Sequence, residues 1–117
     1  MELEFYKHLY LSGALKKKKR SVIRKLKHHV FSPNLYLLVL SQGEQNHFEF
    51  FSTNLLKQHF FKDTSFFIVG VAESYDQAMY LVEEITQEVY TKTKACNLRE
   101  YILNNQSKSG EGSVGNP

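Results

Sequence analysis

Cysteine, proline and tryptophan are scarce in this chain of 117 residues, which contains one cysteine, two prolines and no tryptophan. Because Cys96 is alone, no intramolecular disulfide can form, whereas a secreted domain of this size more often carries a disulfide framework. The five histidines do not have the spacing of a zinc site, since no two of them are placed as in HxxxH. The sequence therefore predicts neither a disulfide-stapled domain nor a metal site.

Glycine-rich loops and long apolar runs are missing as well. Three of the six glycines lie near the C-terminus, and the others form no phosphate-binding loop, so we expect no cofactor. The longest unbroken apolar run, residues 35–40, is too short to span a bilayer. Residues 1–4 are acidic where a secretory signal would be basic. We therefore expect a cytoplasmic protein without a membrane span.

Hydrophobic and charged residues make up 42% and 23% of the chain, which are the proportions of an ordinary globular domain. The charges, however, are unevenly placed. Residues 16–27 contain eight of the fifteen lysines and arginines and no acid, which leaves seven bases against twelve acids elsewhere, a net charge of −5. This asymmetry is the most informative electrostatic feature of the sequence.

The spacing of apolar residues predicts four strands and four helices. The strands are expected at residues 3–11, 34–41, 47–52 and 66–72, with a turn at residues 42–44. The helices are expected at residues 17–31, 54–61, from Ser74 past Val89, and 97–103. The third helix has the clearest start, because Ser74 and Gln77 form a capping box.

This order of elements predicts an α+β domain over residues 1–105. A strand, a helix, a hairpin and a second crossover form the split βαβ plan of ferredoxin-like folds. We therefore expect a four-stranded antiparallel sheet with both long helices on one face, plus a C-terminal helix. The alternative is a meander of strands two to four flanked by the two long helices. Residues 106–117 are too polar to bury a surface and are expected to form a disordered tail.

The basic helix, residues 16–29, is the first candidate site. Cations along one helix face can replace the counterions of phosphates, so this face could bind nucleic acid or another polyanion. The candidate contacts are Lys16, Lys17, Arg20, Arg24 and Lys27. The alternative is a solvated face, balanced by the acidic face of the Ser74 helix on the same side of the sheet. No RNA-recognition signature supports the nucleic-acid hypothesis, since residues 47–51 contain an acid and no glycine.

The second candidate is a self-association surface on the first strand, formed by Tyr6, His8 and Tyr10. If both long helices cover one face of the sheet, the other face keeps these residues and further apolar side chains. Exposed apolar patches mark partner interfaces, and most homo-oligomers are two-fold dimers. The alternative is that the helix that begins at Asn97 folds over this face.

Three functional hypotheses remain from these patterns. The first is a non-enzymatic binding or assembly domain that self-associates as a dimer through its sheet. The second is a nucleic-acid-binding protein that uses the basic helix. The third is an enzyme whose site the sequence does not reveal, because His8, His47 and Glu49 form only a weak acid–base candidate. The sequence assigns no catalytic, cofactor-binding or metal-binding residue.

Overall fold

The computed structural model describes residues 1–40, 48–58 and 64–115 of the chain. Within these ranges the chain forms four strands, which are β1 (Glu2–Leu11), β2 (Tyr36–Leu40), β3 (Phe48–Ser52) and β4 (Ser65–Ala72). It also forms three α-helices, which are α1 (Lys19–Lys27), α2 (Tyr75–Thr93) and α3 (Leu98–Gly115). Two 3₁₀ segments, Gly13–Lys18 and Thr53–Lys57, precede α1 and follow β3. The predicted α+β class is confirmed.

The four strands form one mixed sheet in the order β1-β4-β2-β3. β1 pairs with β4 in parallel, with Phe5 opposite Ile68. β2 is antiparallel to both β3 and β4. The prediction of an antiparallel sheet is therefore wrong, and the ferredoxin-like arrangement is not confirmed. The meander is not found either, because β4 lies next to β2 and not next to β3.

The two faces of the sheet carry separate apolar clusters. Leu38 of β2 packs in a cluster with α2 and α3, whereas Leu37 packs in a cluster with α1. Successive strand residues point to opposite faces, so α1 lies on one side of the sheet and α2 and α3 lie on the other. The prediction that both long helices share one face is wrong. The physical reason is that β2 is apolar on both sides and can receive a helix on each.

The first helix is shorter than its periodicity predicts. α1 ends at Lys27, and His29 has a φ of 60°, the left-handed conformation that ends helices. Val22 and Leu26 are buried, as the apolar stripe predicts, but Val30 lies beyond the helix and is 55% exposed. The helix therefore ends about one turn before its predicted end at residue 31.

The caps of the two later helices follow the sequence pattern. The Ser74 Oγ accepts a hydrogen bond from the Gln77 N–H at 3.1 Å, which satisfies a free donor of the first turn of α2. Asn97 Oδ1 accepts in the same way from the Glu100 N–H at 3.1 Å. α3 is assigned through Gly115, inside the segment for which composition predicts disorder. The disorder of residues 106–117 therefore stays a prediction from composition.

Several predicted features fall wholly or partly on residues that the structure does not describe, among them the end of the second strand at Ser41. The turn at residues 42–44 and the strand start at His47 lie outside the described residues. The predicted helix at residues 54–61 lies partly outside them, and its described part is the 3₁₀ segment Thr53–Lys57. Thr53 is fully buried there, and its hydroxyl donates to the Ser32 carbonyl at 2.7 Å, which ties the segment to the chain before β2.

Candidate functional site

The basic surface consists of the first 3₁₀ segment, Gly13–Lys18, together with α1. Val22 and Leu26 bury one stripe of α1 against the sheet, so the remaining circumference of the helix faces water. All five cations predicted as contacts lie on these two elements. The surface carries eight exposed cations: Lys16, Lys17, Lys18, Lys19, Arg20, Arg24, Lys25 and Lys27.

The sheet separates the basic surface from the acidic face of α2. The expectation that α2 would balance these charges from the same side is wrong, because α1 and α2 pack on opposite faces. None of the eight cations forms an ion pair with another described residue. Glu73 borders the surface, since its carboxylate lies beside Gly13 and it lines a cavity together with Lys25. The positive potential of the remaining surface is therefore not cancelled by local partners.

Two of the cations have other contacts. The Lys19 Nζ donates to the backbone carbonyl of Lys7 at 2.9 Å. The Lys27 Nζ lies 6.0 Å from the centroid of the Phe5 ring, at the outer limit of a cation–π contact. Arg20, Arg24 and Lys27 follow one another at helical spacings of four and three residues. They therefore form one ridge along the exposed side of α1.

A second site, the tyrosine pocket, lies between β1, α2 and α3. Its cavity of about 580 Å³ is lined by Tyr6, His8, Tyr10, Glu88, Lys92, Tyr101 and Asn105. The Tyr10 and Tyr101 hydroxyls both donate to Glu88 Oε2, at 2.9 and 2.8 Å. This volume lies within the range of small-molecule sites.

Tyr6 and Tyr10 keep their protons in this pocket. Burial, followed by the neighbouring Glu88 carboxylate, raises the pKa of Tyr10 far above its usual value of 10.0. Burial also raises the pKa of Tyr6, although a hydrogen bond with the Asn105 side chain opposes this shift. Both hydroxyls therefore remain neutral through the physiological range and can act as hydrogen-bond donors.

The three residues predicted as an interface lie at this pocket. Tyr6 is only 2% exposed, because Leu98 and Ile102 of α3 pack in the same cluster. Tyr10 is half-buried and His8 is exposed. The helix that begins near Asn97 thus covers this face, which is the alternative that the sequence left open. Tyr6 offers no surface to a partner in this arrangement, and the interface role of the three residues stays a prediction.

Sequence reasoning missed Glu88, Tyr101 and Asn105 as members of a site. The pattern of α2 predicts that Glu88 faces water, but its side chain is 32% exposed and accepts hydrogen bonds from two tyrosines. No local signal could have revealed this, because Tyr10 and Glu88 are 78 positions apart in the chain.

Other chemistries have less support. Within residues 1–40, 48–58 and 64–115, no group of three or more histidines, cysteines or carboxylates could hold a metal ion. Cys96 is exposed. No described helix combines the length and hydropathy required to cross a membrane. No family model, curated protein or solved structure matches this chain, so its function has to be argued from the two sites themselves.

Proposed function

We propose that the protein is a non-enzymatic domain that binds nucleic acid through its basic surface. The observation that carries this proposal is the separation of charge: eight exposed cations on one side of the sheet and the acids of α2 on the other. Because residues 16–27 contain no acid, a phosphate backbone meets little repulsion along this surface. The surface then has the electrostatic footprint of a nucleic-acid-binding protein.

The spacing of the cations supports contacts with successive phosphates. Arg20 and Lys27 are seven residues apart, which is about 10 Å along a helix. The rise of duplex DNA is about 3.4 Å per nucleotide of one strand, so this ridge spans about three nucleotides. Arg20, Arg24, Lys27 and one of Lys16 or Lys17 could therefore contact about four phosphates together.

Binding through this surface is expected to be independent of base sequence. Lysines and arginines that contact phosphates position a protein on nucleic acid but do not read its bases. Their contribution appears as counterion release, so affinity should fall steeply with added salt. For about four contacts, the slope of log affinity against log salt should be about −3.6.

The test measures binding to duplex and single-stranded oligonucleotides at several salt concentrations. The triple variant Arg20→Gln, Arg24→Gln, Lys27→Gln removes three cations from one ridge but keeps the propensity of the helix. Its binding should weaken severely, with a slope near −1, and its unfolding free energy should hardly change. The matched control, Lys57→Gln, Lys92→Gln, Lys94→Gln, removes the same charge from exposed positions elsewhere.

Two results would contradict the proposal. One is the absence of binding to either form of nucleic acid at low salt. The other is an equal loss of affinity in the ridge variant and in the control variant. Equal loss would mean that net charge, and not the basic surface, is responsible.

Self-association as a dimer is a second proposal, favoured by exposed apolar side chains on α2. Large hydrophobic side chains that face water often mark partner interfaces. Four on this helix are at least 43% exposed, namely Tyr75, Met79, Tyr80 and Tyr90. Pairing through the sheet face that holds Tyr6 would in addition require α3 to move, because α3 covers that face.

A further inference from the structure

We infer that the tyrosine pocket binds a small organic ammonium ion, which donates a hydrogen bond to Glu88 and lies against tyrosine rings. The pocket is on the opposite side of the sheet from the basic surface. It takes a ligand of opposite charge to a nucleic acid, and it is independent of the function proposed above.

The carboxylate of Glu88 has one oxygen free for such a ligand. Its Oε2 receives both tyrosine hydroxyls and lies 3.8 Å from the Lys92 Nζ. Its Oε1 has no partner among the described residues. Glu88 lines the cavity, and 32% of its side chain is exposed. A carboxylate can only accept hydrogen bonds, and its strongest partners are charged donors.

The walls of the pocket suit a cation with an apolar part. The Tyr10 ring is half-buried and stacks on the buried Tyr6 ring, with the two centroids 6.1 Å apart and an angle of 26° between the planes, so Tyr10 and not Tyr6 offers ring surface to a ligand. The His8 ring lies edge-on to Tyr6 with its centroid 5.5 Å away. Aromatic faces attract ammonium groups through the ring quadrupole.

Lys92 indicates which ligand charge the pocket prefers. Its Nζ is an ammonium group that already approaches Glu88 from the next turn of α2. Its side chain is 63% exposed, so it is held loosely and can be displaced by a ligand. An anion would instead have to approach the Glu88 carboxylate, and among the described residues that line the pocket Lys92 is the one lysine or arginine that could pair with it. The arrangement therefore favours an ammonium over a carboxylate ligand of equal size.

The experiment titrates the full chain with butylammonium chloride and, separately, with sodium butyrate at the same ionic strength. Chemical shifts of backbone amides report the site. Butylammonium should bind saturably with a Kd of about 1 mM, an affinity appropriate to a ligand of this size. The shifts should be confined to residues around Tyr10, Glu88 and Asn105, and butyrate should cause none there.

Two variants separate the ammonium site from a general cavity. Glu88→Gln keeps an acceptor for both tyrosines but removes the charge, so affinity for butylammonium should fall roughly tenfold to a hundredfold. Lys92→Gln removes the competing ammonium, so affinity should rise about twofold to threefold. Lys57→Gln, at an exposed position outside the pocket, is the control for net charge and should leave affinity unchanged.

The inference is overturned if butylammonium does not bind at concentrations well above a millimolar, or if Glu88→Gln binds it as tightly as the parent chain. It is also overturned if butyrate binds and Lys92→Gln weakens that binding, because the pocket would then be an anion site. If Glu88→Gln does not fold, the Lys92→Gln arm decides, since an exposed lysine can be replaced without disturbing the core.

Discussion

A pair of neighbouring substitutions in α3 tests whether this helix covers the sheet. Ile102 is 0% exposed and packs in the cluster with Tyr6 and Ile85. Leu103 is the next residue along the helix and is 41% exposed. Isoleucine and leucine are isomers, so Ile102→Ala and Leu103→Ala delete the same three carbons from the same helix. The two variants differ only in which side of α3 loses them.

The expected losses follow from burial. Three buried carbons at about 0.8 kcal/mol each give about 2.4 kcal/mol for Ile102, to which a closed cavity adds further loss. We expect a total of about 3 kcal/mol. The Leu103 side is open to water, so no closed cavity forms and the loss should be about 1 kcal/mol or less. Helix propensity changes little in either variant.

The assay is urea unfolding followed by circular dichroism. With a slope of about 1.5 kcal/mol per M, the urea midpoint of Ile102→Ala should fall by roughly 2 M and that of Leu103→Ala by well under 1 M. Equal losses in the two variants would refute the reasoning, because Ile102 would then not be seated against the sheet. The face that holds Tyr6 would in that case be open to a partner.

Two further predictions concern the pocket and self-association. The folded-state pKa of Tyr10 is raised above 10.0, so its contribution to stability is complete below about pH 10 and decreases at higher pH, where the unfolded chain loses its proton first. Between about pH 8 and pH 11, the unfolding free energy of Tyr10→Phe should therefore fall less than that of the parent chain, and equal slopes would contradict the assigned environment. Light scattering at micromolar concentration should give about twice the monomer mass of 13.7 kDa, and a monomer at every concentration would exclude the dimer.

Local sequence determined the elements that depend on near neighbours. The spacing of apolar residues predicted the four strands and, with different ends, the three α-helices, because these patterns depend on residues close together in the chain. The helix predicted at residues 54–61 is, in its described part, a 3₁₀ segment. The Ser74 cap needs only residues three positions apart, and it formed. The exposure of Arg20, Arg24 and Lys27 followed from the burial of Val22 and Leu26, so the exposed cations of α1 could be predicted from the helix pattern.

The tertiary structure alone decided how those elements meet. Residues 37–40 of β2 are all buried, so the strand pattern could not say which side would receive α1 and which α2. β1 pairs with β4 in parallel, and the spacing of apolar residues within either strand does not indicate which strand will be its partner.

The tyrosine pocket depends entirely on those long-range choices. Glu88 lies at the pocket because α3 brings Tyr101 to it from one side and β1 brings Tyr10 from the other. The pattern of a single helix predicts that an acid on its polar side faces water, because the pattern does not show which other elements pack beside it. The sequence therefore predicted the basic surface, whose residues are close together in the chain, whereas only the packed fold brought the residues of the tyrosine pocket together.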